Sequence, residues 1–387
     1  MAKGAYIGIN NVARKIKKGY IGVDGVARKI KKAYIGIGGV ARPCWSDGGQ
    51  LVYYGLADDL TYRRYDAAST HVGNYAIFAG GCQTPGGVHK TVEVYNSSLS
   101  KSTASNLSST GTDPATESNP VATHVGNYAV VITNKFIDAY SESLIKSNPT
   151  QPNTSKNNTS ATHVGNYALF AGGSSYNSLL GMYEENGIVD VYNTSLTHTT
   201  TTNLGKARFG AAATHVGNYA IFAGGGTTPS TMNYVDAYDS SLTKISNIST
   251  LSVGRQCLAA TCVGSYALFG GGINNSSVKY DTVESFDSSL VRSLQTTLQS
   301  SRYYLSATHV DNFAIFAGGY DTKDNPADCV DVYNMSLTRE SQTALSRPVV
   351  SPAATHVGNY AIFAGGNRNS TQYSNSGSEY VYVYAVI

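Results

Sequence analysis

The chain has 387 residues, of which 40 are glycine and 29 are tyrosine, and only 14% are charged. This composition is typical of short strands joined by turns, and it predicts an all-β fold. No apolar run approaches the roughly 18 residues that a membrane span needs, and the start of the chain lacks an apolar signal segment, so we expect no membrane insertion and assembly in a cytoplasm.

Basic residues are concentrated at the start of the chain. Residues 1–46 contain ten lysines and arginines and a single acid, Asp24, whereas the rest of the chain carries more acidic than basic side chains. This asymmetry predicts two parts, a basic module at residues 1–46 and a larger domain at residues 47–387.

The basic module contains a 14-residue repeat that occurs three times, at residues 6–14, 20–28 and 34–42. Asn-Asn, Asp-Gly and Gly-Gly pairs between β-forming residues predict three tight hairpins. Hairpins of this size cannot bury a core, so we expect them to pack on a partner, on one another in a homo-oligomer, or on the larger domain. We do not expect nucleic-acid binding, because only one tyrosine per repeat is interleaved with the charges.

These repeats resemble those in tail and structural proteins of phages and prophages of Gram-positive bacteria. The resemblance implies a virion protein that residues 1–46 attach to other virion proteins. The attachment residues that it implies are Tyr6, Arg14, Tyr20, Arg28, Tyr34 and Arg42.

From residue 68 onward, a phrase close to Ala-Thr-His-Val-Gly-Asn-Tyr-Ala-Ile-Phe-Ala-Gly-Gly occurs seven times. Its copies lie 39 to 53 residues apart, a spacing that suits one four-stranded propeller blade per copy. The central residues are His71, His124, His163, His215, Cys262, His309 and His356. The period therefore predicts a seven-bladed β-propeller.

Each copy predicts the strands of one blade. In the fourth copy, two β-type runs flank Gly217-Asn218 as a hairpin, Gly224-Gly225 ends the second strand, and two further runs follow. The last copy has no fourth strand, and an unassigned β-type run at residues 50–56 precedes the first copy. We expect residues 50–56 to pair with residues 379–387 and close the ring, which would remove exposed strand edges.

The Gly-Gly doublet followed by a Val-Asp/Glu-x-Tyr third strand resembles the kelch repeat over residues 50–387. The chain departs from that repeat in lacking its closing tryptophan, since Trp45 is the single tryptophan, and in replacing the doublet in the second copy. The resemblance implies a kelch-like propeller. Kelch propellers include enzymes, scaffolds and adhesins, so function does not follow from this fold.

The recurring histidines could be metal ligands, catalytic groups or parts of the scaffold. We predict a structural role for His71, His124, His163, His215, His309 and His356, because they occupy one equivalent position and Cys262 replaces one of them. The five cysteines have no CxxC spacing, which argues against a disulfide framework and a zinc site. We therefore expect no catalytic residue, no metal and no cofactor.

Sequence variation between the copies is concentrated on one face of the predicted propeller. The connections from second to third strand and from blade to blade vary, and they emerge opposite the nearly constant turns, so we place recognition there. Tyr, Asn, Ser, Gly and Arg in these loops suit adaptable binding of proteins or sugars. The candidate ligand-binding residues are Tyr176, Asn177, Tyr183, Glu184, Arg208, Arg302, Tyr303, Tyr320, Asp321, Arg368 and Tyr373.

Three hypotheses for function follow. The first is a non-enzymatic phage virion protein that binds a host surface glycan or protein through the variable loops. The second is a capsid or tail decoration protein with a mainly structural role. The third is a kelch-type glycan-active or oxidative enzyme.

Overall fold

The computed structural model describes residues 49–83, 87–108, 120–134, 136–152, 157–177, 182–368 and 377–387, together with six strands within residues 6–46. For those six strands, and for Tyr176, Asn177 and Tyr183, only the backbone is described. The described residues form strands, bridges and turns and contain no helix, and accordingly no helix long and apolar enough to cross a membrane is found among them.

Seven antiparallel sheets form the blades, and the first strands of neighbouring blades contact one another in a closed ring. The prediction of an all-β, seven-bladed propeller is confirmed. The first strands are Ala68–Val72, Val121–Val125, Ser160–Val164, Ala212–Val216, Ala259–Val263, Ser306–Val310 and Ala353–Val357. The second strands are Tyr75–Ala79, Tyr128–Thr133, Tyr167–Ala171, Tyr219–Ala223, Tyr266–Gly270, Phe313–Ala317 and Tyr360–Ala364.

The third and fourth strands extend each sheet away from the ring of first strands. The third strands are Val92–Asn96, Phe136–Ser141, Val189–Asn193, Val235–Asp239, Val283–Asp287, Val330–Asn334 and Val381–Val386. The fourth strands are Lys101–Ala104, Lys146–Ser147, His198–Thr201, Arg292–Leu294, Arg339–Ser341 and, in blade seven, Leu51–Leu56. In blade four a single bridge between Tyr238 and Lys244 takes the place of a fourth strand.

Blade seven joins the two ends of the propeller domain. Leu51–Leu56 pairs antiparallel with Val381–Val386, with a register shift between Val383 and Tyr384. This strand comes from the start of the domain and completes the sheet of the last blade. The two ends of the domain are therefore held together in one sheet, which closes the ring.

Six strands before residue 49 pair antiparallel two by two, at the positions of the three predicted hairpins. Their bounds are Tyr6–Ile9 with Val12–Lys15, Gly19–Val23 with Val26–Ile30, and Lys32–Ile37 with Val40–Ser46. The side chains that the sequence assigns to virion attachment, from Tyr6 to Arg42, lie outside the described residues. Packing of these hairpins as a module stays a prediction.

First strands alternate between two environments because successive side chains of a strand point to opposite faces. In Ala212–Val216, Ala212, Thr214 and Val216 are buried, whereas Ala213 and His215 are half-buried on the side that faces the propeller axis. The same alternation recurs around the ring, so the two-residue period of the repeat places the histidine on the axis.

The Gly-Gly doublet lies where the connections between blades pass closest to the second strand. Gly224 and Gly225 have φ angles of 70° and 88°. A Cβ atom would lie 2.6 Å from the Arg255 carbonyl oxygen at Gly224, and 2.6 Å from that of Phe209 at Gly225. Glycine is therefore required at both positions. In blade two, the second strand instead continues to Thr133, and Asn134 follows it with φ 50°.

Turns between the third and fourth strands are held by the side chain of their first residue. The Asn96 carboxamide oxygen accepts hydrogen bonds from the backbone N–H groups of Ser98 (2.8 Å) and Ser100 (3.0 Å). Equivalent pairs of bonds are accepted by Asn193, Asp239, Asp287 and Asn334. The Asn-x-Ser/Thr sequences of the repeat are thus explained by turn geometry.

The apolar core is divided into seven clusters, each between two neighbouring blades. Between blades three and four, for example, Leu169 and Val191 pack with Phe222 and Tyr238. The Tyr238 hydroxyl donates a hydrogen bond of 2.8 Å to the Thr202 carbonyl, which follows the fourth strand of the preceding blade. Five other blades repeat this bond through Tyr95, Tyr140, Tyr192, Tyr333 and Tyr384.

Candidate ligand-binding face and axial cavity

We use the term loop face for the surface formed by the second-to-third-strand connections and the blade-to-blade connections. The two kinds of connection are tied together by antiparallel bridges just beyond the Gly-Gly doublets. These bridges are Tyr65–Cys82, Asn157–Ser174, Phe209–Gly226, Gln256–Ile273, Tyr303–Tyr320 and Val350–Asn367. These six bridges fix the backbone at the base of the loops, so the loops begin and end at defined positions.

Buried arginines lie beneath the loop face. Arg64, Arg208, Arg255 and Arg302 come from the blade-to-blade connections, and none is more than 1% exposed. Arg208 Nη1 lies 2.7 Å from Asp236 Oδ2, and Arg255 Nη1 lies 2.8 Å from Glu284 Oε1. Arg64 and Arg302 pair in the same way with Glu93 and Asp331. Asp138 and Asp190 contact Lys146 and His198 instead. The other four recurring acids of the third strand are therefore the partners of these arginines.

Each acid also contacts a second basic residue from the fourth strand or its equivalent. Lys244 Nζ lies 2.8 Å from Asp236, and Arg339 Nη1 lies 2.9 Å from Asp331. Burial alone would raise the pKa of Asp236, but the charge of Arg208 and the hydrogen bond from Lys244 outweigh it and hold that pKa below its ordinary value. Asp236 is therefore an ionised structural group that is paired with two basic side chains.

The ligand-binding candidates Arg208 and Arg302 therefore lie inside the scaffold. Arg208 Nη2 also donates to the Phe222 carbonyl, and Arg302 Nη1 donates to the Gly318 and Cys329 carbonyls. Neither guanidinium reaches the surface of the loop face. The position of Arg208 and Arg302 in a variable connection did not indicate that they are buried. Their burial depends on pairing with an acidic residue about thirty residues later in the chain.

Tyrosines form a cluster on the loop face between blades five and six. The Tyr303 ring lies 5.4 Å from the Tyr304 ring and 5.3 Å from the Tyr320 ring, centroid to centroid. The Tyr303 hydroxyl donates to Asp324 at 2.9 Å, and Lys279 Nζ lies 3.0 Å from the same carboxylate. Tyr320 is buried beneath Tyr303, so Tyr303, Lys279 and Asp324 form the accessible part of the cluster.

A second aromatic group lies between blades six and seven. Exposed Arg347 and Arg368 both stack on Tyr380, with guanidinium carbons 4.6 Å and 5.4 Å from its ring centroid. Cation–π contact of this kind keeps the two arginine side chains extended over the ring. The candidate Arg368 is thus placed on the loop face.

The remaining candidates differ in what they do. The Asp321 carboxylate accepts hydrogen bonds from the backbone N–H groups of Lys323 and Asn325, so it closes its own turn. Glu184 is exposed in the hairpin of Ser174–Asn177 and Met182–Glu185. The side chains of Tyr176, Asn177 and Tyr183, and the whole of Tyr373, lie outside the described residues.

The six recurring histidines and Cys262 form a closed ring around the propeller axis. Neighbouring imidazole centroids are 3.9 to 4.5 Å apart from His309 through His356, His71, His124 and His163 to His215. Cys262 fills the remaining gap, with its Sγ atom 3.7 Å from His215 Nε2 and 3.6 Å from His309 Nδ1. The repeated side chains therefore contact one another across blades.

Crowding in this ring keeps the imidazoles neutral. Burial, with the charge of His215 added, lowers the pKa of His71 to about 4, and the same two causes act on His309, whose pKa is also about 4. The pKa values of His124, His163, His215 and His356 are likewise lowered, in each case mainly by burial. Within the described residues, no group of three or more His, Cys, Asp or Glu side chains is arranged to hold a metal ion. The four cysteines in this part of the chain are free thiols.

A cavity of about 390 Å³ opens on the axis at the loop face, near the start of the first strands. Small side chains line it, among them Ser69, Ala213, Ala260, Ala307 and Ala354, each two residues before the ring position. Among the described residues, Asp66 is the single charged residue of its lining. The cavity was not foreseen in the sequence analysis, although the run of Ala and Ser at this repeat position was its signal.

No protein-family model matches the chain, and no curated protein matches it.

Proposed function

We propose that the protein is a non-enzymatic recognition protein of a phage virion, with a propeller of the kelch type. Residues 1–46 would attach it to other virion proteins, and the loop face would bind a host surface glycan or protein. The attachment part of the proposal rests on the basic 14-residue repeat, because its small hairpins need a partner to cover them.

The cluster of Tyr303, Lys279 and Asp324 is the observation that carries the recognition part. It combines an aromatic face with an amine and a carboxylate on one rigid platform, which is the combination that contacts with sugars and proteins use. Arg347 and Arg368 around Tyr380 supply a second such patch on the same face. The opposite face carries the nearly constant turns.

Binding of the purified protein to host cells tests this proposal through a pair of alanine variants. Tyr303→Ala removes the accessible aromatic ring of the cluster that it forms with Lys279 and Asp324, whereas Met335→Ala removes a side chain that is 50% exposed on the opposite face. We expect Tyr303→Ala to weaken binding by about tenfold or more, as for an aromatic anchor of an interface, and Met335→Ala to leave it unchanged.

Three outcomes would count against the proposal. Equal binding by both variants would remove the loop face as the recognition surface. Wild-type protein that binds no host cell, but decorates particles in a regular array on the head, would favour the decoration role instead. Turnover of host cell-wall polysaccharide by the wild-type protein would favour an enzyme.

A further inference from the structure

The axial cavity exists because the side chains that line it are small. Ala213 and His215 lie on the same side of the same first strand, so both face the axis at a similar distance from it. Along the axis, the imidazoles form one level of side chains. The alanine methyl groups and the hydroxymethyl group of Ser69 form a second level, nearer the loop face. Larger apolar residues would fill this level, and their absence leaves a space within the size range of small-molecule sites.

Each described blade connection has one residue with left-handed backbone that belongs to the cavity lining or lies within two residues of it, and we call these residues the rim. They are Asp66, Asn158, Gly210, Cys257, Tyr304 and Ser351, with φ angles between 47° and 63°. Backbone hydrogen bonds join them around the axis: Tyr304 N–H donates to the Cys257 carbonyl and Ser351 N–H to the Tyr304 carbonyl, both at 2.9 Å. Gly210 N–H donates to the Asn158 carbonyl at 3.0 Å. Five of the six rim residues are therefore joined to another rim residue through the backbone.

Asp66 is the charged group of this rim. Among the described residues it has no hydrogen-bond or ion-pair partner, and burial raises its pKa to about 6. The groups that interact with its charge are Tyr304, Tyr320 and Cys257, and burial helps to raise the pKa of each, to about 11 for Cys257. These neighbours are neutral near pH 7, as are the imidazoles one level below, so no positive charge among the described residues offsets the Asp66 carboxylate.

We propose that the axial cavity is a binding site for a small organic cation with one protonated amine. The ammonium group would pair with the Asp66 carboxylate and lie near the Tyr304 ring, which are the anionic and aromatic partners that amines take. The body of the ligand would contact the Ala213, Ala260 and Ala307 methyl groups. An anionic ligand would meet Asp66, and the part of the lining that the structure describes has no basic residue to offset this charge.

Binding of three monoamine probes, glucosamine, ethanolamine and propylamine, to the full-length protein tests this site by isothermal titration calorimetry, with glucose as the uncharged counterpart of glucosamine. The test variant is Asp66→Asn, which should fold because Asn158 occupies the same rim position in blade three with the same left-handed backbone. The control is Asp311→Asn, another aspartate with left-handed backbone (φ 51°), exposed in a turn on the opposite face. Thermal unfolding of each variant reports its folding.

We expect wild type and Asp311→Asn to bind at least one amine with equal affinity, Asp66→Asn to bind it about tenfold more weakly or worse, and glucose not to bind. Binding should also weaken between pH 7 and pH 5 as Asp66 becomes protonated. The site is wrong if wild type binds none of the three amines, if Asp66→Asn binds them as tightly as wild type, or if glucose binds as well as glucosamine. Tyr303→Ala should leave amine binding intact, which separates this site from host recognition by the loop face.

Discussion

At the scale of single residues, the buried arginine–carboxylate pairs depend on both partners being present. Blade seven shows the alternative: Val349 stands at the position of Arg302, and Tyr382 stands at the position of Asp331, both fully buried. The charge is absent from both positions together. This is expected because one member left alone would be an uncompensated charge in the interior.

Arg302→Val should therefore destabilise the protein by about 3 to 5 kcal/mol, since it leaves Asp331 buried beside Arg339 alone. The double variant Arg302→Val/Asp331→Tyr reproduces the pair of blade seven and should be more stable than the single variant. Chemical denaturation of the three proteins measures both differences. A double variant that is less stable than Arg302→Val would contradict the view that the two positions act as a pair.

Acid sensitivity is a second consequence at this scale, because the ring histidines have pKa values below that of a free histidine. The unfolded chain takes up protons first as the pH falls, so the stability that these histidines contribute is complete above about pH 6.5 and is lost progressively toward pH 4. We expect the thermal midpoint to be lower by about 10 °C at pH 4.5 than at pH 7.5.

Differential scanning calorimetry across this pH range measures the effect, and His309→Cys gives the comparison. Cysteine already occupies the ring position in blade five, so this variant should fold and should lose less stability between pH 6.5 and pH 5 than wild type. A thermal midpoint that is constant from pH 7.5 to pH 4.5 would show that the imidazoles are not desolvated.

At the scale of elements, the third strand is joined to the preceding blade by the hydroxyl of one tyrosine in six of the seven blades. The Tyr192 hydroxyl donates to the Thr150 carbonyl at 2.9 Å, and its ring packs in the cluster between blades two and three. Blade five has Phe286 at this position and therefore keeps the packing without the hydrogen bond. In blade seven, Tyr384 makes the hydrogen bond to the preceding blade. The hydroxyl of Tyr382, two residues earlier, is buried without a hydrogen-bond partner among the described residues.

Two phenylalanine variants separate the hydrogen bond from the packing. Tyr192→Phe should cost about 1 kcal/mol, the typical net contribution of a hydrogen bond, because the Thr150 carbonyl loses its donor. Tyr382→Phe removes a buried hydroxyl that has no partner and should be neutral or stabilising. Equilibrium unfolding measures both, and the prediction fails if Tyr382→Phe costs as much as Tyr192→Phe.

At the scale of the whole molecule, the arrangement of the blades into a ring decides what each repeated residue does. A histidine that occurs once per blade becomes part of a closed ring of imidazoles, and an alanine two residues earlier becomes the wall of a cavity. Asp66 and Tyr304 are remote in sequence, and ring closure brings them to one rim.

The amino-acid sequence was sufficient for the number of blades, the turns and the strands apart from the fourth strand of blade four, because these depend on a local pattern repeated seven times. The roles of Arg208 and Arg302 could not be read from it: variable connections suggested surface residues, and an ion pair with a distant strand buries them. The histidine ring, the axial cavity and the position of Asp66, which has no partner among the described residues, appear only in the tertiary structure. Each depends on side chains from different blades that meet at one axis, and the distances between such side chains cannot be read from a local sequence pattern.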